Sequence, residues 1–203
     1  MMRYTKIYLF LILLQLYALL VPIPALAYKT YAVAIIPIVN TAQLKDTEVL
    51  HLINTKTRNK FKFPFYEIIP SETVTAAIKE TTTDNEPITT KDTMKKLSTN
   101  LSADIIIAVE LVKGKSTIIE PSPWSFYYYD RDTYVDTDVR IRCYTYSTVN
   151  DNYLSLEASE SGKERLSVDT SVYRSAERLM NQLTSKLPYE RVPKDAFLKE
   201  NNN

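Results

Sequence analysis

Two glycines, one cysteine and one histidine in 203 residues exclude several kinds of chemistry at the outset. Gly114 and Gly162 stand far apart, so neither common glycine-rich phosphate loop can be written. A lone Cys143 and a lone His51 leave no thiolate and imidazole set for zinc, no cysteine pair for haem and no internal disulfide. A charge excess is lacking as well. The chain has 25 Lys and Arg against 24 Asp and Glu, without the basic surplus that nucleic-acid binders use to neutralise phosphates. Nucleic acid is therefore not an expected partner, and no cofactor, metal or catalytic constellation is read from the sequence.

What is present begins with an export pattern. Arg3 and Lys6 precede a mostly apolar stretch from Ile7 to Val21, interrupted by Gln15, and Pro22, Pro24 and Ala25-Leu26-Ala27 follow. A positive start, an apolar centre and a small-x-small site in that order form a secretory signal. Ile7 to Ala27 also approaches the ~20 residues of a spanning helix, which leaves an uncleaved anchor as the alternative. The two prolines sit where such a helix would still need its backbone bonds. Residues 1–27 are thus expected to be removed between Ala27 and Tyr28, leaving no membrane span and placing the protein in the periplasm, at the cell surface or outside the cell.

The remaining chain reads as one domain over residues 28–187, followed by a polar tail, 188–203, expected to be disordered. Thr30 to Val39 is a nearly continuous β-branched run, the pattern of a strand buried on both faces, with Pro37 at its end or at a bulge. Thr41 to Lys60 has apolar points at Leu44, Val49, Leu50, Leu52 and Ile53, an amphipathic helix. Phe61, Phe63 and Phe65 alternate into a second strand ending before Pro70. Ser71 then offers a hydroxyl cap for a helix to Lys79. Lys91 to Leu101 is a short helix with Met94, Leu97 and Leu101 on one stripe, and Ala103 to Val112 is another buried strand.

The later strands differ. From Tyr134 to Tyr146, Val135, Thr137, Val139, Ile141, Cys143 and Thr145 alternate with Tyr134, Asp136, Asp138, Arg140, Arg142, Tyr144 and Tyr146, so one face is core and the other wet. Cys143 falls on the core side, a buried thiol. Tyr153 to Glu160 alternates again, and the two runs form a hairpin. Ser167 to Leu187 carries Val168, Val172, Ala176, Leu179, Met180, Leu183 and Leu187 at helical spacing. This order predicts an α/β (α+β) domain: a single mixed sheet with parallel N-terminal strands and a C-terminal antiparallel hairpin, packed by helices.

Three segments also resemble a known group. Val33-Ala34-Ile35-Ile36-Pro37-Ile38-Val39-Asn40, Tyr66-Glu67-Ile68-Ile69-Pro70-Ser71 and Leu101-Ser102-Ala103-Asp104-Ile105-Ile106-Ile107-Ala108-Val109 resemble the domain shared by the TolB amino-terminal region, the curli secretion channel subunit CsgG and the penicillin-binding-protein activator LpoB. The order of elements agrees over about residues 30–187. Ala108 stands where that group often has glycine, and the lipid-anchored cysteine common in it has no counterpart near Ala27. The resemblance implies a non-enzymatic envelope protein that binds another protein.

The segment between the buried strand and the hairpin, Pro121-Ser122-Pro123-Trp124-Ser125-Phe126-Tyr127-Tyr128-Tyr129, is the candidate binding site, with Tyr134 at its end. Aromatic rings give large contact area for little lost side-chain entropy. These rings either cover the domain's own sheet or contact an envelope protein partner, and glycan or membrane-surface contact is a further use. Asp136, Asp138, Arg140 and Arg142 form either a solvated face or an ion-pair ladder. The carboxylates Asp130, Asp132, Asp136 and Asp138 lack the glycine turn and closing Glu of a calcium loop. His51, between Leu50 and Leu52, has no nucleophile motif beside it.

The leading expectation is a secreted or periplasmic, non-catalytic adaptor of envelope assembly. A small cell-wall glycan hydrolase using Asp136 or Asp138, and a self-assembling ring subunit, are the alternatives. Intact-mass measurement of the exported protein should give a chain beginning at Tyr28; a mass retaining residues 1–27 would establish the anchor instead.

Overall fold

The computed structural model describes residues 29–82, 86–120, 133–167 and 171–194. Five strands, β1 (Tyr31–Ile35), β2 (Tyr66–Ile68), β3 (Ile105–Ile119), β4 (Tyr134–Ser147) and β5 (Asn152–Arg165), form one sheet in the order β2-β1-β3-β4-β5. β1 runs parallel to β2 and to β3, and β3-β4-β5 is an antiparallel meander. Helices α1 (Thr47–Lys60), α2 (Ser71–Thr81), α3 (Lys91–Leu101) and α4 (Val172–Lys186) cover it. This is the mixed α+β sheet that the element order predicts.

The sheet carries a core on each face, because its central strands are apolar in both phases. On one face Ile105, Ile107, Val109 and Leu111 of β3 meet Val49, Leu52 and Ile53 of α1 and Ala176, Leu179, Met180 and Leu183 of α4. On the other, Ile106 and Ala108 meet Val74 and Ala77 of α2 and Met94 and Leu97 of α3. Of the stripe read for the last helix, Ala176, Leu179, Met180, Leu183 and Leu187 are buried as expected and Val172 is half-buried, while Val168 lies outside the described residues. Cys143 is 2% exposed, and burial pushes its thiol pKa up to about 12, which leaves it protonated and unreactive in the folded protein.

Several boundaries differ from the sequence reading. β1 ends at Ile35, and after Pro37 the chain resumes a parallel path as Val39 N–H donates to Val109 O at 3.0 Å and Leu111 N–H to Val39 O at 2.9 Å. The proline, with no N–H, sits in the interruption. α1 starts at Thr47, not near Thr41: Asp46 accepts from the backbone of Glu48 and Val49, while the Asn40 side chain holds both polar groups of Leu44 in the preceding turn.

The alternating phenylalanines are not a strand. Phe61 follows the last turn of α1 and is buried, whereas Phe63 is 85% exposed and only Tyr66–Ile68 pairs with β1. Pro64 between them interrupts any ladder. Ser71 does not cap α2; the cap position is Pro70, without a side-chain bond, and Ser71 Oγ donates to Glu72. α4 starts later than Ser167, at Val172, with Ser171 Oγ accepting from Arg174 N–H.

The largest departure is strand length. β3 and β5 extend to Ile119 and Arg165, beyond the expected Val112 and Glu160. β4 pairs along its whole length with both neighbours, so backbone bonds sustain polar stretches that no apolar period marks. Tyr146, assigned to the wet face, is 2% exposed. α2 and α3 cover that end of the face, and Tyr146 hydroxyl reaches Asp151 at 2.8 Å.

Pro188 to Lys194, in the stretch assigned to the tail, runs back over the domain. Tyr189 packs on Phe61 with centroids 5.5 Å apart, and Tyr66 hydroxyl donates to Glu190 O at 2.7 Å.

Leu183 is 1% exposed at the junction of α4, α1 and the sheet. Leu183→Ala should lower unfolding free energy by about 2–5 kcal/mol, read from urea denaturation, while exposed Gln182→Ala should stay within ~0.5 kcal/mol.

Candidate functional site

Of the site foreseen from the sequence, Tyr134, at the start of β4, is among the described residues. Trp124, Phe126, Tyr127, Tyr128 and Tyr129 fall outside the described residues. Their attachment points are described: Ile119, at the end of β3, is opposite Tyr134, at the start of β4, and Tyr134 in turn is opposite Arg165 of β5. Lys163 Nζ lies 4.8 Å from the Tyr134 ring centroid, a cation over an aromatic face. Tyr134 is therefore a fixed foot of the aromatic connection.

Below that foot the face that bears Tyr134 carries charge. Asp136, Asp138, Arg140 and Arg142 follow along β4 with spacing two, so their side chains share a face. Lys113 of β3 pairs with Asp138. Glu157 of β5 accepts from Arg142 Nε at 2.5 Å and lies 3.7 Å from Arg140 Nε. Nearer the helices, Tyr144 hydroxyl donates to Glu110 at 3.0 Å and Thr41 hydroxyl to the same carboxylate at 2.7 Å. A register shift between Leu111 and Lys113 turns Lys113 onto this face and brings it within reach of Asp138. The two readings of these charges merge: the face is solvated and its charges pair across strands.

On the opposite face, Glu160 accepts from Ser175 hydroxyl at 2.8 Å and pairs with Arg178, fastening β5 to α4. At the other end of the hairpin, Asp151 accepts from Lys91 at 2.9 Å and Lys95 at 3.1 Å, fastening the β4-β5 turn to α3.

These contacts set the proton chemistry. The hydrogen bond from Arg142 holds the Glu157 carboxyl below its ordinary value, that from Arg178 does so for Glu160, and that from Lys91 for Asp151. Glu177 is lowered first by Lys56, and Glu86 first by the Thr93 hydroxyl. A glycoside-cleaving pair needs two carboxyls set in a sheltered cleft. Asp138 is instead paired with Lys113, and Asp136 is exposed. Among the described residues, no group of three or more His, Cys, Asp or Glu is placed to hold a metal ion. No described helix is long and apolar enough to cross a membrane.

His51 is exposed on α1, with Nε2 3.4 Å from Thr55 Oγ1, beside a shallow hollow shared with Thr47, Leu52 and Tyr173. A cavity of about 360 Å³ lies at the end of the sheet away from Tyr134, between Tyr31, Tyr66, Ile105, Asn150, Asn152 and Tyr189. Sequence reasoning missed it. Its walls come from segments distant in the chain, and no local pattern joins them.

No protein-family model matches the chain, and no curated protein matches it. Solved structures do resemble it in shape. Lipoprotein GNA1162 from Neisseria meningitidis has 16% identity and a TM-score of 0.43, covering 76% of this chain and 99% of that one. The PelC dodecamer from Paraburkholderia phytofirmans has 12% identity and a TM-score of 0.39, over 80% of this chain and 91% of that one. The LpoB C-terminal domain from Escherichia coli has 8% identity and a TM-score of 0.37, over 75% and 93%. At such scores the likenesses add nothing to the functional reading, which rests on this chain's own residues.

The lowered carboxylates have a stability consequence. Between the folded and the ordinary pKa, the unfolded chain binds protons that the folded chain does not, so stability rises with pH across that window. Urea midpoints should be level near neutrality and fall as pH drops below about 4–5, with Asp151→Asn flattening part of that fall.

Proposed function

We propose that this chain is an exported, non-catalytic adaptor of cell-envelope assembly that captures a protein partner through residues 121–132, with Tyr134 at the foot of the contact surface. The observation that carries the reading is the placement of that segment's two ends. β3 and β4 are 15 and 14 residues long, and Ile119 and Tyr134 close their ladder at the end remote from the Asp151 turn and α3. The chain between them therefore leaves and re-enters at the tip of the antiparallel arm.

Other features support the same reading. The export pattern of residues 1–27 puts the protein where envelope partners are. Trp124 and the tyrosines are residue types that dominate protein interfaces. Resemblance to the TolB, CsgG and LpoB domain points to protein binding as well. The paired carboxylates described above count against the hydrolase alternative.

The test is photo-crosslinking in the native cell from a probe replacing Tyr128, followed by mass spectrometry, together with Trp124→Ala/Tyr128→Ala. One discrete protein adduct is expected, and the double variant should bind that partner roughly thirtyfold or more weakly with an unchanged unfolding midpoint. Undiminished capture by a folded double variant would overturn the proposal, as would an exported protein that gives no adduct.

A further inference from the structure

One end of the sheet collects apolar side chains that the two cores leave out. β1, β2 and β3 begin there and β4 ends there. α1 and α4 end there as well: Phe61, past the last turn of α1, packs on Tyr66 of β2 at 5.2 Å and on Tyr189, past α4, at 5.5 Å between centroids. Beyond Phe61 the chain turns, with Tyr66 N–H donating to Lys62 O at 3.3 Å, and Phe63 stands on that turn 85% exposed. The turn is fixed to the entry of β1, where Thr30 hydroxyl donates to Pro64 O at 2.9 Å and Tyr31 N–H to Phe65 O at 2.8 Å. Val149, after β4, and Val192, past Tyr189, are exposed at the same end.

Charge at this end is mostly of one sign. Arg58, Lys62, Lys186 and Arg191 are exposed and, among the described residues, belong to no ion pair. The nearby acids are engaged. Glu190 pairs with Lys194 at 3.5 Å, Asp151 with Lys91 and Lys95, and Asp104 accepts from Ala32 N–H. Glu67 of β2 is left exposed against the four cations.

Shape, charge and the path of the chain name the occupant. Phe63 projects, which suits a soft layer that closes round the ring better than a rigid partner that must offer a socket. The cations call for a surface dense in negative charge. Lys29, beside this turn, is where the chain arrives from residues 1–27, the apolar segment read as crossing the membrane in export. This end is thereby delivered against a bilayer. We propose that it docks on an anionic phospholipid surface, with Phe63 entering the headgroup region and Arg58, Lys62, Lys186 and Arg191 over the phosphates. Tyr134, opposite the far end of β3, is then held away from the bilayer. The docking rests on the export pattern of residues 1–27 and uses neither the aromatic connection nor its partner.

The test is cosedimentation of the exported chain with vesicles of phosphatidylglycerol and phosphatidylcholine in equal parts, against phosphatidylcholine alone. Binding to the mixed vesicles at millimolar lipid is expected, lost on phosphatidylcholine alone and on raising salt from about 0.1 M to about 0.5 M. Lys62→Gln and Arg191→Gln should each weaken binding about fivefold. Phe63→Ser should weaken it roughly tenfold, and all three variants should keep the parent unfolding midpoint. Lys115→Gln removes an equal, exposed charge farther along β3. It lies roughly 34 Å from Ile105 at 3.4 Å per residue, several Debye lengths away, and should leave binding within about twofold. No binding to the mixed vesicles overturns the proposal. So does equal binding to both kinds of vesicle, undiminished binding by folded Phe63→Ser, or a loss in Lys115→Gln as large as in Lys62→Gln. Crosslinking from position 128 reads the aromatic contact separately, so failure of one does not imply failure of the other.

Discussion

Burial of β3 on both faces is the constraint on which the other elements depend. Ile105, Ile107 and Val109 point into one core and Ile106 and Ala108 into the other. Leaving either set in water would forfeit roughly 1.5–3 kcal/mol for each large side chain, so helices are required on both sides. The same strand joins the two pairing modes, parallel to β1 and antiparallel to β4. Asp104, just before it, accepts from Ala32 N–H at 2.8 Å and ties the start of β3 to β1. From Ile105 to Leu111 this strand is paired on both sides and covered on both faces, and its neighbours are placed by it.

The cover is unequal, and that inequality gives the protein its surface. α1 and α4 lie over one face and fasten to β5 through Glu160. α2 and α3 cover only the region around β1, the start of β3 and Tyr146. Beyond Tyr144 the second face of the hairpin has no described helix on it, and its strands instead match charge with charge across the ladder. Exposed pairs of this sort contribute little stability each. Their effect is on register and on which surfaces can approach.

Much of this was legible locally. The alternation in Tyr134–Tyr146 identified the core side of β4 residue by residue, and Cys143 with it. The stripe in α4 was equally clear, because one face of that helix packs on the sheet and the other meets water. Illegible parts share a cause. Lys113-Gly114-Lys115-Ser116-Thr117 has no apolar period, yet it is strand because β4 supplies its backbone partners. The phenylalanines near Pro64 alternate, yet no strand runs there, since the proline breaks the ladder. Tyr146 is in phase with the wet face and buried nonetheless, because helices from an earlier stretch of chain lie over it.

The sequence by itself determined which residues turn inward within each element, the succession of strands and helices, and the exclusion of chemistry that one cysteine, one histidine and two glycines impose. Each of these is written in spacing along the chain. Tertiary structure alone decided how far β3 and β5 extend, which half of the wet face is covered, where Pro188–Lys194 seats, and that β5 rather than β2 is the long edge. Those depend on the neighbour each segment meets in space. Pairing and cover are properties of two segments together, and a pattern within one segment does not record the other.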